Sequence, residues 1–344
     1  MSVASMDVPP VARPNGVERA RTQAAPRSAW WQRGLLLVGV IGVGLLIRSL
    51  PAAGWPALLG RVGPALPLMV AVALGWVALY SRQFSVILDG SIGWGRLIYN
   101  RVVGDAYNAI IPVGDLGGDP VRLMDLAAQV GTATAVRGMV IEHLVSLTGS
   151  LTFSSLSVLV AVRVYDWPAR LAHPLTVYAA GALVVAGAVF LLATGGQSAR
   201  LIGRLLRLFK LRAPELPPAV SKRLFARALG WNLLGRFGVL AEIAVVLLAL
   251  GQPVRLGALV AINAILSTAT NVFTFVPNGV GINEGASVLA LSLTGYGEAI
   301  GLTVGLARRA RQLLLVAAGV ALHALRRPRS AERAAADARV PETL

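Results

Sequence analysis

The chain has 344 residues, of which 56% are apolar and 14% charged, with a net charge of +16 and no cysteine. This balance excludes an ordinary soluble domain, disulfides and thiolate metal sites, and three histidines scattered at His143, His173 and His323 make no zinc motif. The basic surplus does not point to nucleic acid, because the arginines fall between apolar segments and in the tails, where orientation in a membrane requires them.

In chain order, residues 1–33 are polar and hold four prolines and five arginines. No small-residue cleavage site follows the first apolar run, so this stretch reads as a disordered basic cytoplasmic tail before an uncleaved span. Crossing a bilayer core takes about 20 apolar residues. Runs of that kind predict six spans, near residues 34–50, 64–80, 138–162, 172–194, 228–250 and 299–325. Two further apolar segments, 97–111 and 256–276, run into glycine-rich stretches and are followed by short helices near 120–129 and 284–294. Each predicts a re-entrant hairpin of broken helices.

Between the halves 34–194 and 228–325 lies a basic linker, 197–227. Its Arg200, Arg204, Arg207 and Lys210 fall on one side of a helical wheel opposite Leu201, Ile202, Leu205 and Leu208, which predicts a helix lying flat on the anionic inner leaflet. Residues 326–344 read as a cytoplasmic tail. Arginines in the N-terminal tail, at Arg82, Arg96 and Arg101, and in the linker place these segments on the cytoplasmic side. The expected architecture is an all-α integral protein of a bacterial inner membrane, both termini cytoplasmic. Its two hairpins enter from opposite sides as an inverted repeat.

The two glycine-rich stretches align on each other. Pro112-Val-Gly114-Asp115-Leu-Gly117-Gly118-Asp119 and Pro277-Asn-Gly279-Val-Gly281-Ile-Asn-Glu284 both read Pro-x-Gly-x4-acid. Non-helical backbone inside membrane-length segments is tolerated where it lines a cavity, so the motif backbone marks a site. Ionisable residues at membrane depth persist when paired or functional. Asp115, Asp119, Arg122, Arg137, Glu142, Arg236, Glu284, Arg308 and Arg309 are therefore the candidate substrate-binding residues, with Arg101, Asp105, Asp125, His143, Glu242 and Arg311 in the same clusters. Arg236 and Glu242 lie about 120° apart round a helix, so their partners must come from other helices.

Two readings of the motif acids are open. In one, Asp119 before Pro120 and Asn283 before Glu284 simply cap helices. In the other, glycine-freed amides at helix N-termini, with Arg122 in the first turn, suit an anionic group such as a lipid phosphate. The acids then hold Arg122, Arg137, Arg308 or Arg309 in place, or take a proton. His143 reads as a satisfied polar residue, and Asn108, Asn232, Asn263, Thr270 and Asn271 as interhelical hydrogen-bonding groups.

The run from Asn108 to Arg122, with Arg137 and Glu142-His143 after it, resembles the first signature of the flippase-like transmembrane domain of lysylphosphatidylglycerol synthases. The run from Phe275 to Gly285, followed by Arg308-Arg309-Ala-Arg311, resembles the second. The Pro-Val-Gly-x-Leu-Gly-Gly and Arg-Arg-Ala-Arg forms are most similar to the hopanoid-biosynthesis-associated subgroup, and the resemblance covers roughly residues 34–325. Asp119 stands where that family often has Glu, and His143 where many members place Arg. Synthase-type members carry a large aminoacyl-transfer domain after the membrane region; the 19 residues after the last predicted span are too few to hold it. The resemblance implies a lipid translocase or lipid-binding protein for a polar-headed or isoprenoid-derived lipid such as a hopanoid, with lipid-synthesis enzymes as partners and no cofactor or metal. Two alternatives stand beside it: a membrane-embedded transferase using an isoprenoid-linked donor, with Asp115 or Asp119 as base, and a non-catalytic scaffold of a lipid-synthesis complex.

Overall fold

The computed structural model describes residues 55–111, 117–195 and 219–326. The predicted span 34–50, the amphipathic stretch 200–210, both tails, and Pro112, Gly114 and Asp115 lie outside the described residues. The described residues form ten α-helices and two 3-10 turns, and no strand occurs among them.

Helix α1, Trp55–Val62, continues through a 3-10 turn at Gly63–Ala65 into α2, Leu66–Ile87. Asp89 and Gly90, both with positive φ, then turn the chain into α3, Trp94–Ile110. Ile111 is extended (φ −94°, ψ 110°), as the residue before a proline must be, and the helix stops there. The chain resumes as α4, Asp119–Val130, breaks at Gly131 (φ 79°) and enters the 33-residue α5, Thr132–Val164. Helix α6, Ala169–Thr194, closes the first half.

The rest of the chain again runs as a long helix, a broken pair of shorter helices and a long helix. Helix α7, Lys222–Ala249, is capped by the Ser221 hydroxyl, which accepts from the Leu224 amide. Helix α8, Leu256–Val272, ends in a 3-10 turn at Pro277–Gly279, where Asn278, Gly279 and Gly281 all take positive φ. Helix α9, Ile282–Leu293, and the 29-residue α10, Glu298–Arg326, complete the fold. The two broken hairpins match in length: α3 and α8 each have 17 residues, α4 and α9 each 12.

Among the described residues, four helical stretches are long and apolar enough to cross a membrane: Pro56–Ile87, Thr132–Val164, Ala169–Thr194 and Lys222–Ala249. These cover the predicted spans 64–80, 138–162, 172–194 and 228–250. Helix α10 covers 299–325, but Arg308, Arg309 and Arg311 at its middle keep it out of that apolar class. The surface agrees with a lipid surround. Helix α6 leaves Val177, Val184 and Leu191 exposed, an apolar face that water would not tolerate on this scale.

Inside, two apolar cores sit at opposite ends of the bundle. One gathers Met69, Val158, Ile243, Leu247, Ile262 and Leu291. The other gathers Phe84, Leu97, Leu126, Met139 and Phe225. Between them runs a polar layer that includes Gln83, Asn100, Arg122, Glu142, Ser154 and Asn232, all buried. Helix α3 packs on α4 and α10, α4 on α5, and α8 on α9, so both hairpin breaks are delivered to this layer. There Asn278 Nδ2 donates to the Ala109 carbonyl (2.6 Å), which joins the second break to the end of α3.

The first hairpin closes on Gly118, where an added Cβ would lie 2.0 Å from the Gly104 carbonyl oxygen. Gly118→Ala is expected to lower stability by about 1–3 kcal/mol through overpacking. Gly187→Ala, inside α6 with nothing within 4 Å of its Cβ, should keep stability or raise it by up to about 1 kcal/mol. Thermal unfolding of the two variants in detergent measures the difference, and equal melting temperatures would contradict this packing.

Candidate functional site

Three carboxylates lie in the helical interior: Glu142, Glu242 and Glu284 are 2%, 0% and 2% exposed. A buried carboxylate is tolerated when opposite charge and hydrogen bonds surround it. Each of the three has recruited arginine. Glu142, on α5, accepts from Arg122 Nη2 of α4 and Arg101 Nη1 of α3, both at 2.6 Å. Arg122 also donates from Nε to Asn100 Oδ1 (3.1 Å), while Asn100 Nδ2 reaches back to the Arg122 carbonyl. Glu142 therefore clamps both helices of the first hairpin onto α5.

Glu242, on α7, accepts from Arg308 Nε (3.1 Å) and Arg311 Nε (2.8 Å) of α10. Its partners come from another helix, as the spacing from Arg236 requires. Glu284 accepts from Arg309 Nε (2.9 Å) on Oε1 and from the Gly281 amide (2.8 Å) on Oε2. Arg309 Nη1 also donates to the Asn278 carbonyl (3.2 Å) and Gln312 Oε1 (3.0 Å), so it holds the second break closed.

The capping reading holds for Glu284, an acid in the first turn of α9, and is corrected for Asn283 and Asp119. Asn283 caps nothing; its Oδ1 accepts from the Thr270 hydroxyl, and Glu284 supplies the cap. Asp119 makes no cap bond, because α4 starts with it rather than after it. Its Oδ2 lies 3.0 Å from His143 Nε2, and its Oδ1 is buried without a hydrogen-bond partner, 3.8 Å from Arg122 Nη1. His143 is a satisfied polar residue, as expected, but it also lines a cavity.

That cavity measures about 380 Å³. Arg101, Arg122, Asp105, Asp119, Glu142 and His143 bring both signs of charge to its wall, and Asn108, Asn278 and Gln312 bring amides. A second cavity of about 180 Å³ has a different character. Arg236 and Arg308 are its only charged lining residues, accompanied by Tyr80, Ser150, Ser267, Thr270 and Asn271. Arg236 donates from Nε to Asn232 Oδ1 (2.9 Å) and from Nη2 to the Ser146 carbonyl (2.8 Å), and among the described residues it has no carboxylate partner. Arg308 shares the carboxylate of Glu242 with Arg311, so the two guanidinium groups of this cavity face less than one full counter-charge. The cavities are neighbours. Ser146 lines the first and bonds Arg236 of the second, and the Arg101 guanidinium of the first lies 5.2 Å over the Tyr80 ring of the second.

Of the sequence candidates, Asp119, Arg122 and Glu142 meet at the first cavity, and Arg236 and Arg308 at the second. Glu284 and Arg309 pair at the second break. Arg137 is exposed and has no side-chain partner among the described residues. Gly117, Gly118, Gly279 and Gly281 shape the two breaks. Tyr80, Asn100, Asn278 and Gln312 join the site without having been singled out: Asn278 lies inside the second motif, and the other three stand beside charged or polar neighbours that drew the attention instead. Among the described residues, no group of three His, Asp or Glu side chains has metal-binding geometry.

Removing a buried charge from its partners exposes how much they depend on it. Glu242→Ala is expected to cost about 3–5 kcal/mol, because Arg308 and Arg311 lose their counter-charge. Asp105→Ala, which breaks only the half-exposed pair with Arg101, should cost about 1 kcal/mol or less. Comparable losses in detergent unfolding would refute the inequality.

A family model for the lysylphosphatidylglycerol synthase TM region matches residues 29–319. No curated protein and no solved structure matches the chain. The matched range contains both hairpins, the three buried carboxylates and nearly all of α10. With most of its length inside that match, the chain belongs to the lysylphosphatidylglycerol synthase transmembrane-region family.

Proposed function

We propose that this protein binds the anionic head group of a membrane lipid and moves it between leaflets along the two adjoining cavities. The observation that carries the reading is the charge of the smaller cavity, lined by Arg236, which has no carboxylate partner among the described residues, and by Arg308, which shares Glu242 with Arg311. An uncompensated cation at membrane depth costs at least a few kcal/mol, and an arriving anion offsets that cost. Guanidinium groups match the geometry of a phosphate ester, whose oxygens accept paired N–H bonds. Arg236 retains a free Nη1, and Arg308 both Nη atoms, among the described residues.

This narrows the head-group contacts to Arg236 and Arg308. Arg122 and Arg309, already paired with Glu142 and Glu284, act instead as braces of the hairpins, and Arg137 stands apart. The matched lengths of the hairpins support an inverted repeat in which α3–α4 enters from the cytoplasm and α8–α9 from outside, with both tails cytoplasmic. Within the lipid class, the Pro-Val-Gly-x-Leu-Gly-Gly and Arg-Arg-Ala-Arg forms favour an isoprenoid-derived lipid such as a hopanoid bearing an anionic group, supplied by lipid-synthesis enzymes.

Purified protein in liposomes is expected to accelerate transbilayer movement of a fluorescent anionic phospholipid without changing its mass. Arg236→Ala or Arg308→Ala should weaken head-group binding by about ten- to a hundredfold, equivalent to about 1.5–3 kcal/mol for one charge-assisted contact, whereas Arg137→Ala should not. A lipid that emerges chemically modified when an activated isoprenoid-linked donor is added would replace this reading with the transferase, in which Asp119 is the base.

The inverted repeat has its own test in this cysteine-free chain. Ser91→Cys, in the exposed turn before α3, should react with an impermeant thiol reagent only from the cytoplasmic side. Glu298→Cys, at the exposed start of α10, should react only from outside. Labelling of both from one side would remove the inversion.

A further inference from the structure

Hydrogen-bond directions fix the proton count at His143. Its Nδ1 lies 2.9 Å from the Met139 carbonyl oxygen. A carbonyl only accepts, so Nδ1 carries a hydrogen. Nε2 lies 3.0 Å from Asp119 Oδ2, and a bare ring nitrogen facing a carboxylate would set two acceptors against each other. A hydrogen therefore sits between them. The pair holds one proton more than a neutral imidazole and an ionised carboxylate hold together.

The surroundings show what loss of that proton would do. The charged and titratable groups facing the pair are Arg122 from α4, Arg101 and Asp105 from α3, Glu142 from α5 itself, Arg236 from α7 and Tyr80 from α2. Helix α10 and the second break bring the neutral amides of Gln312 and Asn278 to this wall; behind them α10 carries Arg309, bonded to both residues and paired with Glu284, and Arg308, beside Arg236 at the neighbouring cavity and paired with Glu242. Glu142 is saturated by Arg101 and Arg122, and Asp105 is paired with Arg101. Asp119 is the carboxylate with room to respond. Its second oxygen is buried, lacks a hydrogen bond and already lies 3.8 Å from Arg122 Nη1. Deprotonation takes the His143–Asp119 pair from zero charge to −1, turns the 3.0 Å contact repulsive and frees Asp119 to close on Arg122.

We propose that His143 and Asp119 form a proton-binding site on the wall of the larger cavity, whose occupancy decides whether Asp119 holds His143 or Arg122. Proton binding at this site then sets the charge that a head group meets next to the Arg101–Tyr80 partition. The site itself rests on hydrogen-bond geometry; its coupling to transport rests on the translocation reading.

Two measurements separate these layers. Protein carrying ¹⁵N-histidine in phosphatidylcholine nanodiscs is titrated by NMR between about pH 5 and 9, with His143→Gln assigning the His143 signals against His173 and His323. Both ring nitrogens should be protonated at the acidic end, and only Nδ1 at the alkaline end. Asp119→Asn should alter that titration. A His143 ring that is neutral with its hydrogen on Nε2, or that keeps one protonation state throughout, overturns the proton site. In phosphatidylcholine liposomes with fluorescent phosphatidylglycerol as probe, wild-type transport should depend on pH, His143→Gln should lose that dependence, and Arg137→Ala should keep it. An unchanged pH response in His143→Gln overturns the coupling. With no transport at any pH the lipid reading fails, and the ring titration alone then supports or overturns the proton site.

Discussion

The pairing of buried carboxylates with arginines from other helices is the constraint on which this structure depends. An ionised glutamate cannot stay in an apolar bundle without compensation, and in lipid there is no water to supply it. Each of Glu142, Glu242 and Glu284 therefore fixes the position of a segment distant in sequence. Glu142 draws α3 and α4 together on α5, Glu242 draws α10 against α7, and Glu284 ties the second break to α10. Apolar packing at the two ends of the bundle is non-directional and would admit several registers. The charge pairs admit one, because a slip of one residue would leave a guanidinium and a carboxylate unpaired at membrane depth.

The same constraint produces an uneven interior. Around the larger cavity, acids and bases are nearly matched, so the wall can rearrange its own charges without an external partner. Around the smaller cavity, guanidinium groups outnumber the single buried carboxylate. A charged group travelling from one to the other passes from a region that screens it to one that attracts it. Tyr80 and Arg101, stacked between the two, stand where that change occurs.

Much of the helical plan was legible in the sequence because hydropathy and proline-glycine punctuation act locally. The apolar run at 172–194 is α6, and the break after Ile111 falls where a proline disfavours a continuing helix, whereas α8 already ends at Val272, five residues ahead of Pro277. Boundaries were less legible. Helix α5 begins at Thr132, ahead of its apolar run, because Gly131 stops the preceding helix and the first turn of α5 carries polar residues. The acids misled for a tertiary reason. Asp119 and Glu284 occupy one motif position, yet α4 starts at Asp119 whereas α9 starts two residues before Glu284. That offset sends one carboxylate to His143 and folds the other back onto an amide. Equal spacing in sequence did not imply equal chemistry, and which arginines are saturated depends on helices far away along the chain.

The bond from Asn278 to the Ala109 carbonyl also bears on how the protein is made. A ribosome delivers α3 to the membrane long before it reaches residue 278, and the bonded residues are 169 positions apart. Until then the carbonyl at the end of α3 waits for its side-chain donor, and the first hairpin is held only by its contacts with α2, α4 and α5. The first half is thus inserted in an incomplete state. The joint is completed when Asn278, braced through its Oδ1 by Gln312 and through its carbonyl by Arg309, ties the second break to the end of α3.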